Sequence, residues 1–488
     1  MVFMHHSKLI DCLKNLTKIE LKSFQKMVNS SFFNSNKKII ELLKYCSQYY
    51  DDWDNKALST AQLSKNLFPT EKTTAAKQRL REHMSDLLSL FKRFLVLEAL
   101  AETPDDENLL LLRQLRKRNL NKMHKSILEK TTTNHEKQPY LNEAYYQIKF
   151  ELTEETEAFF VQNNLRDQED SLQELVQDFD TYYIAKKLKF ICEMLNRGRI
   201  VKKDYQLYGI TEIEALLNNE VYNYLKVPII EIHYQIYLSL IEEVEETHFY
   251  KLLQLLQKYN QKFSKDEQVS FYAHAQNYCI RKINKGAGNY LQELFKIYQY
   301  LLTANLMEVD GFLPHPHYKN IVTVALRLKE FKWTKQFIET YKTKLNSTIR
   351  ESAYAYNLAY YYDSIKEYDK VINLLNTIEF TDIYYEIGAK YILVKVYYEL
   401  NEFGLLQYLI LSFERLVKRN KQISISNREG TLNFLAMLKK MANLKEQKSF
   451  LKETLFQERK KKIVERLAQK KPLPNIHWLR EKLEGLVY

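Results

Sequence analysis

Apolar residues in this chain recur at intervals of three and four, the spacing that places them on one side of an α-helix. Residues 73–100 show it most clearly: Leu80, Met84, Leu87, Leu88, Phe91 and Leu95 share one side, while Lys77, Arg81, Asp86 and Lys92 lie mostly on the other. Shorter stretches with the same period cover 18–28, 37–49 and 60–66, and residues 182–196 return to it through Tyr183, Leu188, Ile191 and Leu195. Helix starts are marked where Thr or Ser is followed three positions later by Glu or Gln, because the two side chains then satisfy backbone N–H groups left without partners in the first turn. Thr17 with Glu20, Ser59 with Gln62 and Thr211 with Glu214 have this form. The prolines, Pro69, Pro104, Pro139, Pro228, Pro314, Pro316, Pro472 and Pro474, fall between periodic segments, and none interrupts 317–471.

Composition removes the alternatives to a helical protein. The 488 residues include only nine glycines and eight prolines, whereas a sheet-rich chain needs turn-forming residues roughly every 8–12 positions. A hydrophobic content of 45% with 27% charged residues fits a folded chain rather than a disordered one. The length exceeds what one core holds, so several domains or an extended array are expected. The pattern divides into an N-terminal helical domain over 1–100, an acidic helical region over 101–215, a repeat array over 216–450 and basic capping helices over 451–488. Trp478 and Leu479 would close the stack, and 306–318, with Gly311 and two prolines, reads as the main internal linker.

Internal periods sharpen the fold class. Leu358, Ala359 and Tyr362 beside Tyr368 and Val371 are matched 35 residues later by Leu393, Val394 and Tyr397 beside Phe403 and Leu406. Ile321, Val322 and Ala325 beside Phe331 and Thr334 precede the first set by 37, and weaker echoes lie in 237–259 and 270–302. With these spacings the chain resembles the tetratricopeptide repeat family, whose unit is a helix–turn–helix of about 34 residues. The resemblance covers about 319–415 of this sequence; Lys329, Lys366 and Asn401 stand where that family has a small residue in the turn, and the closing proline is missing. It implies an all-α fold, an α-solenoid of stacked helix pairs, each hiding the apolar face that its neighbour cannot cover alone. The overall plan, a Tyr- and Lys-rich helical body behind a small helical domain, is also similar to that of bacterial helical proteins and brings no activity with it.

Charge and chemistry narrow the functional classes. Of the net charge of +12, residues 411–488 carry +11, residues 1–100 carry +6 and residues 101–180 carry −7, and the stretch 151–180 has ten carboxylates against Arg166 alone. Residues 1–16 have no apolar core and contain Asp11, so no secretory signal is read there, and no window approaches the apolar length of a membrane span. Cys12, Cys46, Cys192 and Cys279 are scattered, giving neither a disulfide framework nor a zinc pattern, and a reducing cytoplasm is the expected location. Gly286-Ala287-Gly288 lacks the third glycine and the preceding strand of a dinucleotide site, and His315 and His317 around Pro316 read as an exposed loop. Neither cofactor nor metal is expected, and the chain reads as non-catalytic.

Three surfaces remain. The resemblance implies a concave face lined by the first helix of each pair, which would hold Tyr356, Tyr360, Tyr391, Lys395 and Tyr398 as a groove for a protein or peptide partner. Tyrosine suits such contacts through its broad ring and polar tip, although 36 tyrosines in an AT-rich-looking composition also allow plain packing. Arg459, Lys460, Lys461, Lys462 and Arg466 form a basic patch that reads as a solvated helix face, a phosphate-binding surface or a dock for an acidic protein, including residues 151–180 of this chain. Lys77, Arg79 and Arg81 open a long helix after short ones, an arrangement open to DNA reading or to a bundle capping the array. The expected function is a protein- or peptide-binding adaptor; the alternative is a DNA-binding transcriptional regulator with a ligand-sensing array.

Overall fold

A computed structural model gives the structure of the protein and describes residues 7–165, 171–201, 203–218, 222–242 and 244–488. Among the described residues it holds 23 α-helices and no β-strand, with one isolated bridge between Val309 and Phe312. The chain forms two compact units, Met1–Phe190 with Gly209–Glu231, and Ile191–Tyr208 with Ile232–Tyr488.

The first unit opens with α1 (Lys8–Lys14), α2 (Lys18–Asn29), α3 (Lys37–Ser47), α4 (Thr60–Leu67) and the long α5 (Thr73–Glu102). All four short helices touch α5, which is the axis of this bundle. Its buried stripe is Leu80, Leu87, Phe91 and Phe94, with Phe24 of α2 packed 5.6 Å from Phe91 and 5.2 Å from Phe94. Leu95, expected on that stripe, is 45% exposed; the heptad step from Leu80 through Leu87 leads to Phe94 instead. Thr17 and Glu20 make both halves of a capping box, at 3.2 and 2.7 Å. Ser59 accepts from the Gln62 N–H at 3.4 Å, and the Gln62 amide turns to Asn66. At Thr211 the expected box does not form: α10 (Ile210–Leu217) starts two residues earlier, capped by Gly209 in the left-handed region at φ 75°, so Thr211 lies inside the first turn.

Between α5 and α10 lie α6 (Pro104–Lys117), α7 (Asn121–Glu136), α8 (Glu143–Gln162) and α9 (Ser171–Val201), the last belonging to this unit as far as Phe190. Their contacts are unusually ionic. Glu155 of α8 is 3% exposed, accepts two hydrogen bonds from the Arg116 guanidinium (2.7 and 3.0 Å) and lies 3.0 Å from Nε2 of His124, whose ring stacks on Phe159 at 4.3 Å. Arg113 pairs with Glu151, Lys149 with Asp178 and Lys189 with Glu143, and the Tyr224 hydroxyl donates to Asp180. Within the acidic stretch, Glu151, Glu155 and Asp178 are thus paired with cations inside the unit, while Arg166, Asp167, Glu169 and Asp170 lie outside the described residues.

In the second unit, α11 (Pro228–Ile241), counted from Ile232, and α12 (Thr247–Tyr259) are followed by α13 (Lys265–Asn284), α14 (Tyr290–Thr303), α15 (His315–Arg327), α16 (Phe331–Tyr341), α17 (Arg350–Ser364), α18 (Tyr368–Thr377), α19 (Ile383–Glu399), α20 (Phe403–Arg419), α21 (Ile425–Glu446), α22 (Glu453–Gln469) and α23 (Ile476–Glu484). From α15 onward the helices pair as hairpins. The second helix of each pair packs on the first helix of the next, α16 on α17, α18 on α19 and α20 on α21, while the first helices α15, α17 and α19 touch in order. Ala359 and Val394, at the centres of α17 and α19, are fully buried in this stack. The connection before α15 is shorter than expected. Residue 315 already begins the helix, Pro316 occupies the first turn, where a missing N–H is harmless, and Tyr318 is fully buried with its hydroxyl donating to the Ile338 carbonyl at 2.9 Å.

The turns inside the hairpins share one geometry. Lys329, Lys366 and Asn401 all sit in the left-handed region, at φ 60°, 62° and 60°. The next residue, Glu330, Glu367 or Glu402, donates its N–H to the carbonyl five residues back, at 3.0, 2.9 and 3.0 Å, which closes the helix end in the Schellman manner. Phe331, Tyr368 and Phe403 then open the second helix. A lysine in this conformation is strained by its Cβ, whereas asparagine tolerates it better. Lys366→Gly is expected to raise stability by about 0.5–1 kcal/mol in urea unfolding, and Asn401→Gly by clearly less.

In the first unit, Glu155→Ala is expected to destabilise by about 3 kcal/mol, because it leaves Arg116 and His124 facing no acceptor. Glu151→Ala, whose partner Arg113 is partly solvated, should cost under about 1 kcal/mol by the same measurement.

Candidate functional site

The first helices of three successive hairpins carry a continuous row of polar and aromatic side chains. From α15, Lys319 extends its ammonium over the ring of Tyr356 on α17, 4.9 Å from the centroid, and lies 6.0 Å from that of Tyr385 on α19. Tyr356 has room to lie there because position 388 is glycine: a Cβ on Gly388 would stand 2.5 Å from the tyrosine ring. The Tyr385 hydroxyl donates to the His315 carbonyl at 3.2 Å and lies 3.1 Å from Nδ1 of the same residue, tying α19 to the first turn of α15. Tyr360 follows Tyr356 one turn further along α17, and Asp363 comes next, paired with Lys395 of α19 at 3.7 Å.

The electrostatics of the row are uneven. Burial lifts the Asp363 carboxyl above its ordinary range, against the opposing pull of the Lys395 ammonium. Burial also pushes the Lys319 ammonium below its ordinary value, and the nearest acid acting on it is Asp382. No hydrogen bond or ion pair holds Lys319 among the described residues; the two tyrosine faces are what it has, a cation–π arrangement of modest strength.

Of the five groove residues read from the sequence, Tyr356, Tyr360 and Lys395 lie on this row. Tyr391 and Tyr398 are one step round α19 from Lys395, and that step carries them into packing against the C-terminal helices. Tyr391 donates to Thr431 Oγ1 at 3.0 Å with its ring edge-on to Phe413. Tyr398 is 2% exposed, beneath the Lys445 ammonium at 4.5 Å and edge-on to Trp478 at 5.5 Å. Lys319 was legible in the spacing, since it precedes Tyr356 by the same 37 residues that separate Ile321 from Leu358. Tyr385, Gly388 and His315 carry no such signal, because their roles come from contacts across helices.

The basic residues of α22 part company. Arg459, Lys462 and Arg466 face a cleft beside α21, Lys460 turns to the carbonyls of Leu486 and Glu484, and Lys461 is exposed elsewhere on the helix. In the first unit, Lys77, Arg79 and Arg81 sit on the first turns of α5, with Arg79 paired to Glu71. A polar cleft of about 810 Å³ in that unit is bordered by His135, Glu129, Glu136, Glu174 and Lys149. The His135 ring is fully engaged there, with Nδ1 2.8 Å from Asp105 and Nε2 3.0 Å from the Tyr145 carbonyl. His315 and His317 lie in the first turn of α15 rather than on an exposed loop, and Gly286 turns the chain between α13 and α14 at φ 98°. Among the described residues no group of three or more metal-ligating side chains converges, and no helix is long and apolar enough to cross a membrane.

The two tyrosines of α19 differ in one testable respect. Among the described residues the buried Tyr398 hydroxyl has no hydrogen-bond partner, while that of Tyr391 has Thr431. Tyr391→Phe is expected to lose about 1 kcal/mol in chemical denaturation, and Tyr398→Phe to lose nothing or gain a few tenths.

Against known proteins the chain stands apart: no family model matches it, and neither a curated protein nor a solved structure shows significant similarity to it.

Proposed function

We propose that the chain is a divergent tetratricopeptide-like repeat protein that acts as a non-catalytic cytoplasmic adaptor, holding an extended segment of a protein partner along α15, α17 and α19. The observation that carries this reading is Lys319, half-buried over Tyr356 and Tyr385, with Asp382 acting on it from a distance and no ion pair or hydrogen bond among the described residues. A cation partly withdrawn from water without a partner is costly to the isolated chain, and carbonyl or carboxylate oxygens of a bound segment would offset that cost. Around it, the partly exposed Tyr360 offers a broad ring with few torsions to freeze, Tyr356 lies buried beneath the ammonium, and the Asp363–Lys395 pair offers one acceptor and one donor at the far end. The row is built on helices whose buried sides are fixed by the stack, so its spacing is set before a partner arrives.

The test uses affinity purification of the full chain from its native cell, comparing wild type with Lys319→Ala/Tyr360→Ala. Both substituted side chains are partly exposed and neither belongs to the buried apolar core, so helicity by circular dichroism should be unchanged. Recovery of the specifically captured protein is expected to fall at least about tenfold, the effect of losing one or two dominant contacts. Undiminished recovery by a variant of equal helicity removes the groove.

A further inference from the structure

The cleft between α21 and α22 gathers more cations than the described residues around it neutralise. Its floor is Leu444 and Ile463, 3% and 6% exposed, and its rim is Lys440 and Asn443 from α21 with Arg459, Lys462 and Arg466 from α22. The three α22 residues share a side because they are spaced by three and four. Lys470 continues that side and donates to Asn433 Oδ1 at 2.8 Å. Arg459 is steadied by donating to Gln447 Oε1 at 2.7 Å, and Lys462 pairs with Glu458 on its own helix.

Arg466 and Lys440 are different: among the described residues neither side chain has a hydrogen bond or an ion pair. The Lys440 ammonium is held below its ordinary value first by burial and then by repulsion from Arg466 and Lys470, with no carboxylate acting on it. The fold thus brings three like charges together over an apolar floor, an arrangement that works against its own stability. Solvated basic residues on a helix spread away from one another; these converge.

We infer that this cleft is a binding site for a compact phosphate-class anion, a small solute carrying two or more linked phosphoryl groups. Two guanidinium forks, on Arg459 and Arg466, match phosphoryl oxygens in paired hydrogen bonds, and the lysines add point charge. The cleft is open to solvent and has a volume of about 240 Å³, below the roughly 300 Å³ at which pockets begin to hold drug-sized ligands. It therefore takes the phosphoryl end of a solute and leaves the remainder outside. A nucleic-acid backbone would engage an open stripe of cations along both sides of α22, yet Lys460 is turned inward onto backbone carbonyls and Lys461 stands off the cleft.

Isothermal titration of the full chain with pyrophosphate, at low and matched ionic strength against sodium chloride, tests the site. Saturable binding near one equivalent is expected. Lys440→Met and Arg466→Gln should each weaken it at least about tenfold, whereas Lys461→Gln, which removes the same charge outside the cleft, should leave it within about twofold. In the absence of anion Lys440→Met should unfold at the same temperature as wild type or higher, since it removes a repelled charge, and this separates loss of the site from loss of the fold. Absence of saturable binding overturns the inference, as does equal weakening by Lys461→Gln. Single-stranded RNA that binds without competition from pyrophosphate would also overturn it, marking an extended nucleic-acid surface in place of a compact site.

Discussion

The stacked half of this protein depends on one contact made repeatedly: the second helix of a hairpin packs against the first helix of the next. Neither helix of a pair is apolar all round, and a single pair cannot cover its own apolar side. Ala359 and Val394 show how the contact is reached. Each lies mid-helix, fully buried, and each is small enough to let a neighbouring helix approach. Because the contact joins neighbours in the chain, one hairpin fixes the next, and the first helices are brought side by side as a consequence. The row from Lys319 to Lys395 exists only because that order is kept over three pairs.

How much of this was legible follows from which contacts are local. The helix period, the 35- and 37-residue spacings and the box at Thr17 are local, and the structure keeps them. The turn was legible too, in a form easily passed over: Lys329-Glu330-Phe331, Lys366-Glu367-Tyr368 and Asn401-Glu402-Phe403 are one motif, in which a residue with a long or polar side chain accepts a left-handed backbone. A search for the small residue that usually fills the position finds a departure there; the structure finds the same turn. The fate of Tyr391 and Tyr398 was less legible, because a rotation of only about 50° round α19 separates the position of Lys395 from those that meet α21. Leu95 gave way to Phe94 on α5 for a similar reason, since the buried stripe there drifts as the helix lengthens.

The acidic stretch shows what a charge count leaves out. Ten carboxylates in thirty residues suggest a surface seeking a basic partner, yet Glu151, Glu155 and Asp178 each already face a cation from another helix or turn of the unit. Burying Glu155 between an arginine and a histidine is tolerable only because both its oxygens are engaged. Sequence cannot show this, since Arg116 and Glu155 are 39 residues apart. Such a network adds little stability over an apolar contact of equal size.

The C-terminal charge obeys the opposite logic. Residues 411–488 hold nineteen basic against eight acidic side chains, so internal neutralisation fails by simple shortage, and the fold must either spread the surplus or gather it. It does both on one helix. Lys460 is absorbed by the carbonyls at the end of α23, where a cation meets the negative end of a helix dipole, and Lys461 is left to water. Arg459, Lys462 and Arg466 are gathered, because the side of α22 that carries them also carries Ile463 and Leu467, and burying those two against α21 brings the cations with them. The convergence at Lys440 is therefore imposed by apolar packing, and once imposed it leaves a small concave surface on which Lys440 and Arg466 have no partner among the described residues.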